Sequence, residues 1–487
     1  MTRLLAIDAG TTGVTSILFN AELEPVARAY REFRQHFPRP GWVEHEAHEI
    51  LAAVDATVKE ACDGVSSIDA IGITNQRETV FAYDTIRKRA IGRGIVWQDR
   101  RTADRCEELR NSGEQARVRQ HTGLVLDPYF SATKMEWMLR EDPAVETAAR
   151  EGSLRFLTVD ALIVDHLTRG EVLATDRTNA SRTMLFDIEK RVWSPEMCEL
   201  FGVPIESLPE VRESTAAFGL ARLAGGLEAP IHGIAGDQQA ALFGQGCFEA
   251  GSLKNTYGTG CFLLLNAGDE RKDIDGLLTT LAVGRDGRSV YAIEGSVFAA
   301  GLVVQWLRDQ LGLIENAADS EVLARSVDST EGVVCVPAFT GLGAPYWDAN
   351  ARAALMGMTR GTGKAHIVRA ALDSIAFQCT ELIELLRKET GLKLERLRVD
   401  GGASANGYLM QRQADLAKLA IERPVEVEAT ARGAASLAGL GVGIWPDPGD
   451  VSVGRSGRMR YVASLDEERR TAELAGWRAA VARVRTN

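Results

Sequence analysis

The same short pattern occurs twice in this chain, about half its length apart. Residues 4–9 are apolar apart from Asp8, the turn Gly-Thr-Thr-Gly occupies residues 10–13, and a second apolar run ends at Phe19. Residues 252–257, the turn Gly-Thr-Gly at 258–260 and an apolar run to Leu265 repeat this order. Apolar runs on either side of a Gly-rich turn are typical of a β-hairpin. The repetition predicts two related halves, each beginning with such a hairpin.

The length of the chain also favours two domains. Its 487 residues exceed the roughly 250–300 at which single cores stop growing. No low-complexity tract or long Pro/Ser linker divides it, so the repeated hairpin places the boundary near residues 244–252. We therefore predict an N-terminal domain of residues 1–246 and a C-terminal domain of residues 247–487.

Both predicted domains mix strands and helices. In the first, the apolar segment 70–74 reads as a strand and residues 132–139 as a helix, which favours an α/β class. In the second, we predict a helix from about Ser296 to Gln310, a helix over 367–388 ending at Gly391, and a strand over 397–400. Another helix follows a Gly-Gly turn, with apolar residues at helical spacing: Leu409, Leu416 and Ala420.

Composition excludes several classes of function. A hydrophobic fraction of 45% with 25% charged residues, and no apolar run near the roughly 18 residues of a membrane span, predicts a soluble protein without membrane insertion. Asp8 interrupts the first apolar run too early for a secretory signal, so we expect a cytoplasmic location. The net charge of −11, with no clustered Lys/Arg surface, argues against nucleic-acid binding.

The two Gly/Thr turns are candidate phosphate sites. Backbone N–H groups and hydroxyls in such a turn suit the phosphates of a nucleotide, although a single copy is more often an ordinary hairpin. Two copies facing each other across a cleft favour the phosphate reading. Asp8 would then place a carboxylate beside the phosphates as a magnesium ligand, or it would cap the turn. The nearest approach to a Walker A sequence, at 361–364, is followed by Ala365 instead of Ser/Thr.

Other candidate residues have both a functional and a structural interpretation. Arg77 and Glu78 follow a strand and could bind neighbouring hydroxyls of a polyol, or form a surface ion pair. Asp237 lies where a strand turns into a helix and could be a helix cap. Gly301 interrupts a helical pattern at a cost of about 1 kcal/mol, which close approach of a ligand or of another helix would explain. Asn406 could cap a helix or contact a nucleotide.

Several stretches resemble the glycerol kinases, sugar kinases with the actin-like, ribonuclease-H-like ATPase fold. The most specific is Gly72-Ile-Thr-Asn-Gln-Arg-Glu-Thr79, and the others are residues 40–45, 95–98, 127–131, 178–185, 233–240 and 337–347. The resemblance covers nearly the whole chain. It implies two ribonuclease-H-like α/β domains with a cleft between them, and ATP-dependent phosphorylation of glycerol to sn-glycerol 3-phosphate with Mg²⁺. Homo-oligomers are common in this family.

The resemblance also implies the roles of individual residues. The glycerol hydroxyls would be held by Arg77, Glu78, Tyr129, Asp237 and Gln238, and the glycerol carbons would lie between Trp97 and Phe262. Asp237 would also be the general base. In the N-terminal domain the phosphate contacts would be Thr11, Thr12 and Gly13. In the C-terminal domain the nucleotide contacts would be Thr259, Gly301, Gln305, Gly402 and Asn406.

The chain departs from the family at two places. Thr15 stands in the first phosphate turn where many members carry Arg, so one cationic phosphate contact is missing. The Arg-containing loop that binds fructose 1,6-bisphosphate in some members is not recognisable in residues 221–230, nor is the histidine that others have phosphorylated there. We therefore expect neither control.

Two rival functions remain open. One is a kinase for another polyol or ketose, such as erythritol or xylulose. The other is a partner-binding ATPase, since chaperones and filament proteins also use the actin-like fold. The second is disfavoured because such proteins have no use for Arg77, Glu78 and Trp97 lining a pocket.

Overall fold

The structure is a computed structural model that describes residues 2–223, 225–348, 350–424, 428–447, 449 and 457–486. The N-terminal half contains the strands β1 (Leu4–Ala9), β2 (Gly13–Phe19), β3 (Pro25–Glu32), β4 (Glu44–His45), β5 (Ala70–Asn75), β6 (Val80–Asp84), β7 (Arg89–Ala90), β8 (Gly94–Ile95), β9 (Leu154–Thr158), β10 (Ala174–Asp176), β11 (Phe186–Asp187), β12 (Val192–Trp193), β13 (Glu210–Arg212), β14 (Leu220–Arg222) and β15 (Glu228–Gly236). Its helices are α1 (Ala47–Ala61), α2 (Ala103–Asn111), α3 (Gln115–Thr122), α4 (Ala132–Glu141), α5 (Pro143–Arg150), α6 (Val159–Leu167), α7 (Arg177–Ala180), α8 (Pro195–Leu200) and α9 (Asp237–Gly244).

The C-terminal half has a similar mixture of elements. Its strands are β16 (Leu253–Tyr257), β17 (Cys261–Gly268), β18 (Leu278–Val283), β19 (Ser289–Val297), β20 (Val334–Val336), β21 (Ala354–Met356), β22 (Arg396–Asp400), β23 (Ala420–Pro424) and β24 (Arg458–Tyr461). Its helices are α10 (Gly301–Asp309), α11 (Asp319–Arg325), α12 (Lys364–Thr390), α13 (Gly407–Ala417), α14 (Ala429–Gly441) and α15 (Glu467–Val484).

Each half is built on a sheet with the same five-strand core. The N-terminal sheet has the order β14-β15-β5-β1-β2-β3, and the C-terminal sheet has the order β18-β19-β17-β16-β22-β23-β24. In both, the hairpin pair is antiparallel, a third strand extends it antiparallel on one side, and two parallel strands extend it on the other. The predicted repeat of two hairpins is therefore confirmed.

Helices cover both faces of the N-terminal sheet. On one face Leu5 packs into a core with α1 and α6, and on the other Leu4 and Ala6 pack against the alanines of α14. Contact with α14 is close, since a Cβ on Gly72 of β5 would lie 2.1 Å from the carbonyl oxygen of Ala434. Thus a helix that follows residue 247 in sequence belongs in space to the N-terminal sheet.

The segment between β5 and β15 forms an additional layer. Its strands β6, β7, β8 and β9 pair with one another and with β4, and helices α2 to α5 and α8 share a hydrophobic core with them. In the described parts of the chain, no helix is long and apolar enough to cross a membrane.

The predicted helices of the C-terminal half are partly confirmed. Helix α12 covers the predicted 367–388, and Gly391 follows it in the left-handed conformation with φ of 66°. The predicted helix from Ser296 is wrong at its start, because Ser296 and Val297 belong to β19 and pair with β17. Helix α10 begins only at Gly301. Ala420 likewise begins β23 and does not continue α13.

Gly301 is therefore the first residue of a helix and does not interrupt one. Its N–H donates to the carbonyl oxygen of Gly258 at 2.9 Å, and a Cβ at this position would lie 2.7 Å from that oxygen. The glycine lets the start of α10 lie directly against the second Gly/Thr turn.

The contact between α9 and α14 provides a test of this packing. A Cβ on Gly433 would lie 1.9 Å from the carbonyl oxygen of Ala240, whereas Gly476 on the exposed face of α15 has nothing within 4 Å. Gly433→Ala should lower the free energy of unfolding by about 1–3 kcal/mol through overpacking. Gly476→Ala should raise it by about 0.5–1 kcal/mol through helix propensity.

Urea unfolding followed by circular dichroism measures both variants. Equal stabilisation by the two substitutions would contradict the close contact of α9 with α14.

Candidate active site

The centre of the molecule holds a buried cluster of two arginines and two glutamates. Arg77 and Glu78 follow β5, Arg182 follows α7, and Glu294 lies on β19 of the other half. Nη1 of Arg77 donates to Oε2 of Glu294 at 2.6 Å, and Nη2 of Arg182 donates to Oε1 of Glu294 at 2.9 Å. Nε of Arg182 donates to Oε1 of Glu78 at 2.7 Å. The side chain of Arg77 is 1% exposed and that of Glu294 is fully buried.

This cluster settles the structural alternative for Arg77 and Glu78, since they are not a surface pair. Burial alone would raise the pKa of Glu294, but Arg182 and Arg77 lower it to about 2. Burial is the largest influence on Glu78 and raises its pKa, while the charges of Arg77 and Arg182 oppose that change. Glu78 also has a left-handed backbone, with φ of 64°. Such conformations cost about 1–3 kcal/mol and are concentrated at functional sites.

Asp237 lies beside this cluster at the start of α9, as the strand-to-helix pattern predicts. Its Oδ1 accepts the N–H of Gln238 at 2.7 Å and lies 3.3 Å from Nε of Arg77. Its side chain is 33% exposed, in contrast to the buried Arg77. Gly236 makes this approach possible, because a Cβ there would lie 2.7 Å from the Arg77 side chain. A partly exposed carboxylate is thus held against a buried guanidinium.

Two aromatic residues extend the site towards the first Gly/Thr turn. Nη2 of Arg77 donates to the Tyr129 hydroxyl at 3.2 Å. The rings of Tyr129 and Trp97 pack edge to face, with their centroids 5.6 Å apart. Nε1 of Trp97 donates to Oγ1 of Thr11 at 3.0 Å. The predicted polyol contacts on the N-terminal half are therefore continuous with the predicted phosphate turn. Phe262 lies on β17 of the other half, in register with Thr256.

The two Gly/Thr turns close in the same way. The N–H of Gly10 donates to the carbonyl of Gly13 at 3.0 Å, and the N–H of Gly258 donates to the carbonyl of Gly260 at 2.9 Å. Thr12 and Thr259 are exposed at the tips. The carbonyl of Thr259 accepts from the first turn of α10, which fixes the second turn on that helix. Both turns thus present backbone amides and threonine hydroxyls outwards.

Asp8 lies next to this region and could hold a divalent cation. Burial raises its pKa to about 8, with the charges of Asp237 and Glu428 adding to the effect. Carboxylates that repel each other in this way are relieved by a bound cation. The structure's described residues contain no group of three or more His, Cys, Asp or Glu arranged to bind a metal. Magnesium suits such a site, because it often takes one or two carboxylates and completes its shell with water and phosphate. Thr15 lies opposite Asp8 in the β1–β2 ladder.

The remaining predicted nucleotide residues lie around α10 and α13. Gln305 is exposed on α10, and Gly402 begins a short 3₁₀ turn after β22. Asn406 caps α13, since its Oδ1 accepts the N–H of Leu409 at 3.0 Å, while its Nδ2 donates to Ser320 at 3.1 Å. The capping role is thus observed, and the nucleotide contacts of these residues stay predictions.

Sequence reasoning missed several residues of this site. They are Glu294, Arg182 and Lys254, which are charged side chains that the fold buries completely. Arg182 falls inside the motif at 178–185. A charged residue in the middle of a strand that is buried on both faces was the available signal for Glu294 and Lys254.

Known proteins resemble this chain over nearly its full length. The model of the "FGGY family of carbohydrate kinases, N-terminal domain" matches residues 3–244, and that of the C-terminal domain matches residues 253–442. The glycerol kinase of Halorhodospira halophila is 50% identical over 488 residues, covering 99% of this chain and 96% of that protein. The glycerol kinase of Shewanella amazonensis is 49% identical over 486 residues, covering 99% and 98%.

Solved structures give the same result. Plasmodium falciparum glycerol kinase with ADP superposes with a TM-score of 0.94 at 35% identity, covering 99% of this chain and 98% of that one. A ligand-bound xylulose kinase from Lactobacillus acidophilus has a TM-score of 0.87 at 20% identity, covering 98% and 96%, and shares the fold alone. Because both domain models match and relatives are about 50% identical over nearly their full length, the chain belongs to the FGGY family of carbohydrate kinases.

Proposed function

We propose that this protein transfers the γ-phosphoryl group of ATP to glycerol and releases sn-glycerol 3-phosphate and ADP. The observation that carries the proposal is the line of contacts from Glu294 through Arg77 to Tyr129, Trp97 and Thr11. It joins a buried, polar, donor-and-acceptor site to a Gly/Thr turn. The glycerol kinases among the relatives support the choice of substrate.

Within this site each hydroxyl of glycerol needs a donor and an acceptor. Arg77 supplies charged donors, while Glu78 and Asp237 supply acceptors. Oε1 of Glu78 is already used by Arg182, and the described residues give its Oε2 no hydrogen-bond donor. The Trp97 ring, with Phe262 from the other half, would offer apolar surface to the carbons, and the Tyr129 hydroxyl would be a further contact for the polyol oxygens. A three-carbon polyol matches this alternation of polar and apolar groups.

Asp237 is placed to act as the general base. It is the partly exposed carboxylate of the cluster, and Arg77 and the N–H of Gln238 hold its Oδ1. The base takes the proton of the primary hydroxyl as the phosphoryl group moves. Because phosphoryl transfer usually has a loose transition state, in-line positioning and charge neutralisation contribute more than the base.

The nucleotide phosphates would lie between the two Gly/Thr turns. Magnesium, when bound, neutralises charge on the phosphate oxygens, and Asp8 would be its protein ligand. Around this position, amides and hydroxyls would come from Thr11, Thr12, Gly13 and Thr259. The N–H of Gly301 is taken by the Gly258 carbonyl, so Gly301 would contribute only the close approach that its missing Cβ allows. Since these groups come from both halves, closure of the halves would bring the substrates together and exclude water.

Three expectations about the protein as a whole stay predictions. They are a cytoplasmic location, where ATP is available, a homo-oligomeric state, and the lack of nucleic-acid binding. Insensitivity to fructose 1,6-bisphosphate also stays a prediction. Glycerol-dependent turnover is expected to be unchanged by millimolar fructose 1,6-bisphosphate, and strong inhibition would contradict it.

The first test of the proposed function is Asp237→Asn. This substitution should lower glycerol-dependent ADP release by at least about 10²-fold, because it removes the proton acceptor. A coupled spectrophotometric assay with Mg-ATP and glycerol measures it. Asp63→Asn makes the same chemical change at an exposed turn and should leave the rate unchanged.

The other outcomes of this assay are informative. Turnover that is absent with glycerol but present with erythritol or xylulose would replace the substrate and keep the mechanism. ATP hydrolysis that needs no glycerol and survives Asp237→Asn would indicate a partner-binding ATPase.

A pair of isosteric variants tests the buried cluster. Glu294→Gln leaves two buried arginines short of a counter-ion and should cost about 3–5 kcal/mol of stability as well as weakening glycerol binding. Glu78→Gln should raise the KM for glycerol with a smaller loss of stability, because Glu294 still accepts hydrogen bonds from both arginines. Thermal unfolding and steady-state kinetics on both variants measure this difference. Equal losses of stability would contradict the central role of Glu294.

A further inference from the structure

Lys254 is a buried cation beside the candidate base to which the sequence assigned no role. It is the second residue of β16, the strand that leads into the second Gly/Thr turn, and it is 0% exposed. Its Nζ donates to Oε1 of Gln238 on α9 and to Oγ1 of Thr256 at 2.8 Å. The lysine therefore joins the C-terminal sheet to the residue that follows Asp237.

The contact fixes which way the Gln238 amide faces. An ammonium group has only donors, so the amide must present its oxygen to Lys254. The amide nitrogen then faces the other way, and Nε2 of Gln238 lies 3.3 Å from Oδ2 of Asp237. With the amide reversed, its NH₂ would face the ammonium and its oxygen would face the Asp237 carboxylate. Both contacts would be repulsive.

Lys254 holds the second oxygen of Asp237 by this route. Oδ1 is already fixed by the Gln238 N–H and Arg77 Nε. Among the described residues, the side chain of Gln238 is the only hydrogen-bond donor to Oδ2. The orientation of the Asp237 carboxylate therefore depends on the Gln238 amide, and that amide depends on Lys254.

The surroundings of Lys254 leave this contact undisturbed. Burial lowers its pKa, while the charges of Asp400 and Asp237 oppose that change. Asp400 pairs with Thr256 in the ladder, and its Oδ2 accepts a hydrogen bond from Gln245 at 2.7 Å. Its buried Oδ1 has no hydrogen-bond partner among the described residues, and Lys254 donates to Gln238 and Thr256 instead of to this oxygen. Burying a lysine without a direct ion pair costs free energy. Charged groups in such surroundings are concentrated at functional sites, and Lys254 lies beside Asp237.

We propose that Lys254 is a positioning residue for phosphoryl transfer, which holds the Asp237 carboxylate through the side-chain amide of Gln238. The inference rests on the proposed function, in which Asp237 accepts the hydroxyl proton. Because Lys254 belongs to the C-terminal half and Asp237 to the N-terminal half, the base is aligned only when the two sheets are correctly packed.

The test is Lys254→Met, which keeps the length of the side chain and removes the ammonium. We expect kcat to fall on the order of 10²-fold, as for a misplaced catalytic group. The KM for ATP should change by less than about threefold, since no phosphate contact is lost. Lys272→Met is the matched control, because it removes the same charge from a lysine whose ammonium, among the described residues, hydrogen-bonds to the Thr390 carbonyl at 3.3 Å. It should leave kcat unchanged.

A double-mutant cycle with Gln238→Leu separates positioning from a general loss of packing. If Lys254 acts through Gln238, the double variant should be no slower than the slower single variant. If the losses of kcat in the two single variants multiply in the double variant, the proposal is overturned. A kcat for Lys254→Met within about twofold of wild type would also overturn it. A raised KM for ATP with unchanged kcat would also overturn it, because the lysine would then act on the phosphates.

Folding and substrate identity are controlled separately. Circular dichroism reports whether each variant folds, and Lys254→Arg, which keeps a charged donor, should recover most of the kcat lost in Lys254→Met. If Lys254→Met does not fold, a folded Gln238→Leu variant with wild-type kcat overturns the proposal. All variants are compared on the substrate that the wild-type protein phosphorylates fastest. Failure of glycerol as the substrate is therefore distinguishable from failure of this inference.

Discussion

The ion pair between Arg77 and Glu294 is the interaction on which the rest of the site depends. It joins the end of β5 in the N-terminal sheet to β19 in the C-terminal sheet, and both side chains are removed from water. Burying two charges costs several kcal/mol per ion unless the geometry is excellent and the other donors are satisfied. Here Gln239 and Tyr129 accept further hydrogen bonds from Arg77, and Arg182 donates to Glu294. Among the described residues, Nη1 of Arg182 is buried without a hydrogen-bond partner. The pair thus fixes the relative position of the two sheets as well as the guanidinium.

The three carboxylates of the site differ in what they contact. Glu294 accepts hydrogen bonds from both arginines and stabilises their positive charges. Glu78 and Asp237 still have oxygens that can accept hydrogen bonds from a substrate. The rigid cluster ends at the aromatic pair Tyr129 and Trp97, which leads to the first Gly/Thr turn. A site built in this way needs little rearrangement around the polyol.

Local patterns predicted the parts of the structure that local forces determine. The two hairpins and α12 were predictable because alternating apolar residues, Gly-rich turns and a left-handed Gly391 act within a few residues. Ser296 was placed in a helix because a short apolar run suits either a helix or a strand, and pairing with β17 decides between them. Lys254 and Glu294 could not be assigned, since their partners lie on the other half of the chain.

The family resemblance supplied what local patterns could not, by naming Arg77, Tyr129 and Asp237 together. The structure brings these three side chains into one connected group. The predicted nucleotide contacts Gln305 and Asn406 differ from this group. Gln305 is exposed on α10 and Asn406 caps α13, and neither role needs a ligand. The resemblance is therefore most informative where residues are buried together.

The position of α14 has a consequence for how the chain is synthesised. The face of the N-terminal sheet formed by Leu4, Ala6 and Ala70 is covered by alanines of that helix, which is among the last elements made. While the ribosome is still translating the C-terminal half, the emerging N-terminal half has no partner for this apolar face. That face therefore stays exposed until α14 has been made, and the unfinished chain is open to aggregation there.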